Sequence, residues 1–227
     1  MFENIKNTID FFIRNKTKFT RKNFVEKNLE NIKRNELENL YTKDILEKFF
    51  KKTQKDSLKI LDIGCKNWFY LKGEWDFFNS FCDNFFLDGV ELDAYRLYNN
   101  FYSRIETAKY YMKNYNNVKY IADDLLNIEE KYDFIIWILP FVLKKSLIYW
   151  GLPEKYFCPE KLLIHSYNLL NENGQLLIIN QGEKEAQKQE ELLISSKIQY
   201  KKLNEIKSSF YEYKNKRFGF LITKKTL

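Results

Sequence analysis

Three acidic residues each close a short apolar run in the first half of the chain. Asp62, which is soon followed by Gly64, closes the first run, and Glu91 and Asp123 close the next two. Ligands of open α/β sheets bind outside the carboxyl ends of the strands, so acids in these places can meet around one bound molecule. A carboxylate accepts hydrogen bonds from ribose hydroxyls or from the amine of a base. The pattern therefore indicates a site for a nucleoside ligand.

The three acids have different expected roles. Glu91 is expected to bind ribose hydroxyls, as acids do in nucleotide-binding α/β folds, while Asp93 is expected to cap a following helix. In Ala122-Asp123-Asp124, a carboxylate would accept from the amine of adenine while a backbone N–H meets a ring nitrogen. Gly64 lets the backbone approach a ligand closely. Each acid alone would also fit a solvated cap, and the succession of three favours the ligand.

The runs that end in these acids belong to a longer alternating pattern. Apolar runs at 58–63, 85–92, 118–122, 134–139 and 175–180 alternate with helical patterns at 68–82, 94–114, 159–170 and 183–197. The alternation predicts βαβ units and a parallel sheet covered on both faces. Extended runs at 200–213 and 217–223 flank Lys214-Asn215-Lys216 and predict a terminal β-hairpin. The predicted fold class is α/β, a doubly wound, mostly parallel, seven-stranded sheet with a C-terminal antiparallel hairpin.

The N-terminal part of the chain has a different pattern. Residues 1–56 carry apolar residues at helical spacing among charged ones, which predicts two or three amphipathic helices. A helix over 42–50 is expected to pack on the sheet. We therefore divide the chain into an N-terminal helical extension, 1–56, and a main domain, 57–227. A structural lid is the favoured role of the extension, and substrate recognition is the alternative.

Composition excludes several classes of protein. The 38 basic and 31 acidic residues are interspersed along the 227-residue chain, so the net charge of +7 leaves nucleic-acid binding open but not favoured. Three separated cysteines and one histidine exclude a Cys/His zinc site, and we expect no metal. No apolar run approaches the roughly 20 residues of a membrane span, and the N-terminus lacks the pattern of a signal peptide. A cytoplasmic protein without membrane contact is expected, and the sequence predicts no oligomeric state.

The motifs taken together resemble those of the class I S-adenosylmethionine-dependent methyltransferases, which have a Rossmann-like sheet. The resemblance covers roughly residues 57–225 and rests on five segments: 61–65, 89–93, 122–124, 132–137 and 169–178. It implies S-adenosylmethionine as the cofactor and methyl transfer as the activity. A nicotinamide cofactor is excluded, because the G-x-G-x-x-G turn that binds it is absent.

The resemblance also implies roles for individual residues. The methionine moiety would be bordered by Asp62, Gly64 and Cys65, and Trp137 would lie at the sulfonium end. Glu91 would bind the ribose, and Leu92 would pack on the adenine. Asp123, with the backbone of Asp124, would bind the edge of the adenine. The family usually has two or three glycines in the first loop, and Lys66 stands where a glycine is common. Asn67 is expected to take the left-handed backbone that this turn needs.

The acceptor is expected to lie beside the loops that follow the fourth and fifth strands. All three prolines fall between 140 and 159, and Pro140, Tyr149 and Trp150 are expected to form a pocket wall. Gln181 and Glu183 are expected to face the same cleft, with Glu183 either a base or a helix cap. Methyl transfer from a sulfonium needs mostly proximity, so no catalytic residue is assigned. A small-molecule acceptor is favoured; a non-catalytic binding protein and an RNA methyltransferase are the alternatives.

Overall fold

The computed structural model describes residues 28–98 and 101–225, and the helices predicted within 1–27 lie outside the described residues. The strands are β1 (Leu58–Ile63), β2 (Phe85–Val90), β3 (Val118–Ile121), β4 (Tyr132–Ile138), β5 (Leu170–Gln181), β6 (Lys201–Ile206) and β7 (Arg217–Thr223). The α-helices are α1 (Asn28–Phe49), α2 (Leu71–Asn79), α3 (Arg104–Met112), α4 (Lys144–Tyr149), α5 (Pro159–Asn168) and α6 (Gly182–Ser195). None of these described helices is long and apolar enough to cross a membrane.

The seven strands form one sheet in the order β3-β2-β1-β4-β5-β7-β6. Strands β1 to β5 are parallel neighbours, whereas β7 runs antiparallel to both β5 and β6. The predicted α/β class with an antiparallel C-terminal pair is therefore confirmed. The chain moves outward from β1 to β3 and then returns to β4 on the other side of β1. This reversal of direction between β1 and β4 is the place where such sheets open a ligand cleft.

The sheet is covered on both faces, because neighbouring residues of its central strands enter different cores. Ile60 of β1 packs in the core under α1 and α2, whereas Leu61 packs in the core under α5 and α6. Residues of β4 and β5 divide in the same way, since successive side chains of a strand point to opposite faces. Burial on both faces explains why these strands are almost continuously apolar in sequence.

Two described helices start later than their sequence patterns predicted: α2 begins three residues later and α3 begins ten residues later. The pattern placed a helix over 94–114, but α3 begins at Arg104, after Ser103. Ser103 and Glu106 form a capping box, in which each side chain accepts a hydrogen bond from the backbone N–H of the other residue. That box is the stronger start signal. Asp93 does not cap a helix and instead forms an ion pair with Arg96.

The terminal antiparallel pair lacks the tight turn that was predicted. Strand β6 ends at Ile206 and β7 begins at Arg217, so the residues 207–216 form a longer connection. The prediction of a strand as far as residue 213 was wrong, because the side chain of Tyr213 packs against α1 and its backbone does not pair with β7. Its ring meets that of Tyr41 in α1 edge to face, with the ring centroids 5.0 Å apart.

The described part of the N-terminal extension packs tightly on the main sheet. Helix α1 includes the helix predicted over 42–50, and Ile45 and Leu46 are buried in the core beside α2. Asn39 also accepts a hydrogen bond from the backbone N–H of Gly73, with a distance of 2.8 Å between Oδ1 and N. The carbonyl oxygen of Asn39 lies so close to Gly73 that a Cβ atom there would collide with it.

Candidate functional site

A cleft opens at the carboxyl ends of β1 to β4, where the order of the strands reverses. It holds about 940 Å³ of empty space, including space open to solvent. Its floor and adjoining walls are formed by Ile63, Gly64, Lys66, Val90, Glu91, Leu92, Arg104, Asp123, Asp124 and Leu125. The remaining wall consists of Trp137, Ile138, Leu139, Pro140, Phe141, Leu147, Trp150, Leu152, Tyr156, Cys158 and Leu162. One side of the cleft is therefore charged and the other is mostly apolar.

Glu91, which follows β2, is held from three directions. Its Oε1 accepts from Arg104 Nη1 and from the backbone N–H of Asp93, both at 2.8 Å. Its Oε2 accepts from the backbone N–H of Lys66 at 3.0 Å. A carboxylate oxygen has two lone pairs, so Oε2 keeps one acceptor position. Glu91 thus borders the cleft in a fixed orientation and can accept one hydroxyl.

Asp123 and Asp124 follow β3 at the far end of the cleft. Asp123 Oδ1 accepts from the backbone N–H of Asp124 at 2.7 Å and from Asn127 Nδ2 at 2.8 Å. The N–H of Asp124 that was expected to meet a ring nitrogen is therefore bonded to a neighbouring side chain. Asp124 in turn caps the short 3₁₀ helix Leu125–Asn127 through its own carboxylate. Both acids lie in the cleft lining, as the strand ends predicted.

The loop between β1 and α2 makes a sharp turn with several positive φ angles. Gly64 has a φ of +75°, and open space surrounds the position that a Cβ would take there. Left-handed backbone was expected at Asn67, but it falls at Lys66, with φ 55°, and at Trp68, with φ 51°. The buried indole of Trp68 donates to Glu74 at 2.8 Å and holds the turn in this shape. Asn67 itself is outside the cleft lining.

Asp62 and Cys65 lie beneath the cleft, fully buried. Asp62 Oδ2 accepts from the hydroxyl of Tyr70 at 2.8 Å, while Oδ1 has no hydrogen-bond partner among the described residues. Burial raises the pKa of Asp62 to about 7, and the charge of Glu91 acts in the same direction. The Sγ of Cys65 packs against Gly89 of β2, and burial raises the pKa of this thiol. Both residues support the floor from below.

The predicted acceptor residues divide into two groups. Pro140 and Trp150 line the cleft, and the buried cofactor-side residue Trp137 lies beside them. Tyr149 is 86% exposed and lies outside the lining. Gln181 and Glu183 also lie outside it: Gln181 Oε1 accepts from Arg217 Nη1 at 2.8 Å, and Glu183 is exposed on the first turn of α6.

Several residues of the cleft were not predicted from the sequence. Arg104 was not predicted to line the cleft, because α3 was expected to start ten residues earlier. Leu147 and Leu162 of the apolar wall carry no signal beyond ordinary hydrophobicity. Leu152, Tyr156 and Cys158 belong to the segment 149–159, whose aromatic residues and prolines had indicated a pocket wall. Lys66 did carry a signal: a lysine stands in a turn where glycine is common, and its charge was expected to be unfavourable near a sulfonium unless the side chain pointed away. The structure places Lys66 in the cleft lining. Among the residues that the structure describes, no cluster of histidine, cysteine or acidic side chains could hold a metal ion.

Several solved structures that resemble this one are methyltransferases. The CurJ carbon methyltransferase is 12% identical with a TM-score of 0.58, covering 83% of this chain and 54% of its own. The plantazolicin methyltransferase BpumL in complex with S-adenosylhomocysteine is 16% identical with a TM-score of 0.52, covering 97% and 98%. Magnesium protoporphyrin IX methyltransferase (ChlM) from Synechocystis PCC 6803, with bound S-adenosylmethionine, is 10% identical with a TM-score of 0.52, covering 85% and 80%.

These similarities establish the fold. The chain shares its fold with these methyltransferases, and its cleft lies at the switch between β1 and β4. It spans about half the length of the CurJ chain and nearly all of BpumL. No protein-family model and no curated protein sequence matches the chain.

Proposed function

We propose that this protein is an S-adenosylmethionine-dependent methyltransferase that acts on a small-molecule acceptor. The observation that carries the proposal is the convergence of Gly64, Glu91 and Asp123 on one cleft. These residues follow three different strands, and the fold brings them to the carboxyl edge where such sheets bind nucleosides. The composition of the cleft, charged on one side and apolar on the other, suits a ligand with a polar nucleoside and an apolar reacting end.

The residues present fit this cofactor in three respects. Glu91 Oε2 has one acceptor position left for a ribose hydroxyl. Asp62 has a buried carboxylate oxygen without a partner among the described residues, and an ammonium group above the floor would compensate it. The open space around Gly64 lets the backbone approach the methionine part closely. Asp123 would bind the adenine amine, and Leu92 would pack on the ring.

When bound, the cofactor would supply a methyl group that its sulfonium already activates. The residues of this chain would then orient the two reactants and exclude water, since proximity is the main requirement of such a transfer. Trp137, Pro140 and Trp150 all line the cleft. Trp137 would lie near the sulfonium, and Pro140 and Trp150 would form the wall beside the acceptor. A dedicated base is not needed for an acceptor that is already nucleophilic.

The acceptor side favours a small molecule. Leu152, Tyr156 and Leu162 make this wall apolar, and the basic residues of the chain are interspersed with acidic ones instead of forming a stripe beside it.

The three cysteines of the chain are free, which fits a reducing compartment. We therefore place the activity in the cytoplasm.

Calorimetric titration with S-adenosylmethionine and S-adenosylhomocysteine tests this proposal. We expect both ligands to bind, and Asp123→Ala to weaken binding about tenfold through the lost charge-assisted hydrogen bond. Glu91→Gln should weaken binding as well, but it also leaves the buried Arg104 without its acidic partner, so its melting temperature is recorded as a check on folding. Glu172→Ala is the matched control, because this exposed acid lies in the amino-terminal part of β5, away from the cleft. Absence of binding at millimolar ligand would overturn the proposal.

A further inference from the structure

The side chain of Lys66 crosses the cleft. Lys66 belongs to the loop after β1, and its Nζ lies 4.5 Å from the ring centroid of Trp150. Trp150 follows α4 on the opposite wall, and both residues line the cleft. The backbone carbonyl of Trp150 accepts a hydrogen bond from Arg96, which holds the backbone of this turn in place. The ammonium group of Lys66 is therefore held between the two walls.

The backbone of Lys66 is fixed in a direction that aims its side chain into the cleft. Its φ of 55° lies in the left-handed region, which a lysine adopts only when the surroundings impose it. The surroundings here are two hydrogen bonds. The N–H donates to Glu91 Oε2 at 3.0 Å, and the carbonyl oxygen accepts from the hydroxyl of Tyr120 at 2.6 Å. Both hydrogen bonds hold the backbone of Lys66 in this conformation.

The charge of Lys66 has no acidic partner at this place. Among the described residues, no carboxylate lies within ion-pair distance of its Nζ, and Glu91 is already paired with Arg104 at 2.8 Å. Burial lowers the pKa of Lys66, and the charge of Arg104 lowers it further, against the opposite effect of Glu91. The ring of Trp150 offsets part of the cost through a cation–π contact. The cleft therefore contains a half-buried positive charge, beside which a negative or neutral ligand would bind more tightly than a positive one.

We propose that Lys66 is a specificity-determining residue that makes the cleft bind neutral S-adenosylhomocysteine more tightly than positively charged S-adenosylmethionine. This inference rests on the proposed function. The two ligands share every group except the methyl on sulfur, and the sulfonium gives S-adenosylmethionine one more positive charge. Two like charges in a partly desolvated cleft repel each other much more than they would in bulk water. The aliphatic stem of Lys66 also lies in the cleft, where it would take up space beside either ligand.

Two substitutions separate the charge from the stem. Lys66→Met keeps the length and removes the charge, so it should tighten S-adenosylmethionine about fivefold or more and leave S-adenosylhomocysteine nearly unchanged. Lys66→Gly removes the stem as well and suits the positive φ, so it should tighten both ligands. The measured quantity is the ratio of the two dissociation constants by calorimetry, with melting temperature as the check on folding. An unchanged ratio in Lys66→Met, or weaker binding of S-adenosylmethionine, would overturn the inference.

A matched control is available outside the cleft. Lys113 has its Nζ 4.4 Å from the ring centroid of Tyr110, at the end of α3, so it makes the same kind of contact on the surface. Lys113→Met should leave the ratio of dissociation constants unchanged. The two proposals fail in different ways. If neither ligand binds the wild type or any variant, the proposed function is wrong. If both ligands bind and the ratio of their dissociation constants is the same in the wild type and in Lys66→Met, only this inference is wrong.

Discussion

Arg104 Nη1 lies 2.8 Å from Oε1 of Glu91, and both side chains are buried. The pair joins the first residue of α3 to the end of β2, so it fixes the cleft wall that Glu91 forms. The same carboxylate also accepts two backbone N–H groups, from Lys66 and Asp93. A buried charge with this many partners is costly to disturb, because removing one partner leaves the other uncompensated.

Arg104→Met should therefore destabilise the protein strongly. We expect the free energy of unfolding in urea to fall by about 3 kcal/mol, near the lower limit for a broken buried pair, because two backbone donors still hold Glu91. Lys72→Met is the control: Lys72 pairs with Asp76 on the exposed side of α2, where such pairs contribute less than about 1 kcal/mol. If both variants lost equally little free energy of unfolding, the buried pair would not stabilise the protein more than an exposed one.

Gly73→Ala tests whether α1 is part of the main domain. A Cβ at this position collides with the backbone carbonyl of Asn39, which cannot turn aside as a side chain would. If α1 is packed as firmly as the structure indicates, the substitution should lower the free energy of unfolding by about 2–3 kcal/mol.

The opposite sign is expected if α1 is only loosely docked. Alanine is then favoured over glycine within α2 by up to about 1 kcal/mol, and Gly73→Ala would stabilise the protein. Lys72→Ala, at the exposed neighbouring position, is the control for helix propensity. The sign of the change in chemical denaturation therefore decides whether the boundary at residue 56 separates two structural units.

The buried carboxyl group of Glu74 should make stability depend on pH. Burial raises the pKa of Glu74 well above its usual range, and the charge of Asp62 adds to the effect, against the hydrogen bond from Trp68. The native state therefore keeps a proton that the unfolded chain has lost above about pH 4.3. Stability contributed by this group is present at low pH and is lost as the pH rises through the raised pKa.

Glu74→Gln removes this titration and keeps an acceptor for Trp68. Between pH 6 and pH 9, the free energy of unfolding of the wild type should fall more steeply than that of the variant, with a slope difference of up to about 1.4 kcal/mol for each pH unit below the raised pKa. Asp76→Asn, on the same helix, should follow the wild type. Parallel pH profiles for the wild type and Glu74→Gln would show that Glu74 is ionised in both states.

The fold was predictable where burial alone sets the sequence pattern. The bounds of β1 agree with the predicted run 58–63, because five of its six residues are buried and exposed residues precede it. Helix α3 was misplaced because aromatic residues spaced three and four apart before Ser103 imitate a helical face. Tyr98 and Phe101 instead form a turn, with the N–H of Phe101 bonded to the carbonyl of Tyr98. Local spacing cannot distinguish these two arrangements, whereas a capping box can.

The candidate site was predictable as far as it follows strand ends. Glu91 and Asp123 lie in the cleft because the topology places the ends of β2 and β3 at one edge. The contacts that complete the site cross between distant segments. Lys66 meets Trp150 across 84 positions of sequence, and no periodicity within either segment encodes that meeting. Tertiary packing alone determines such contacts.

Arg96→Met should loosen the wall of the cleft that contains Trp150. Arg96 donates from Nη1 to the carbonyl of Trp150, and its Nε lies 2.5 Å from Oδ2 of Asp93. Its Nη2 would lie 3.3 Å from a Cβ at Gly151, so the guanidinium also covers this turn. Arg96→Met removes the hydrogen bond between Arg96, in the loop after β2, and the turn at Trp150 and Gly151. The wall should then open locally while the sheet stays folded.

Hydrogen exchange measured by mass spectrometry checks this expectation. The amides of Gly151 and Leu152, which bond to the carbonyls of Ile148 and Leu147, should exchange about tenfold faster in Arg96→Met, because a charge-assisted hydrogen bond contributes about 1.5–3 kcal/mol. Lys144→Met is the control within the same segment: it removes only the exposed ion pair with Glu154, so exchange there should change little. Equal acceleration across β1 and β4 would indicate global destabilisation and contradict a local role for Arg96.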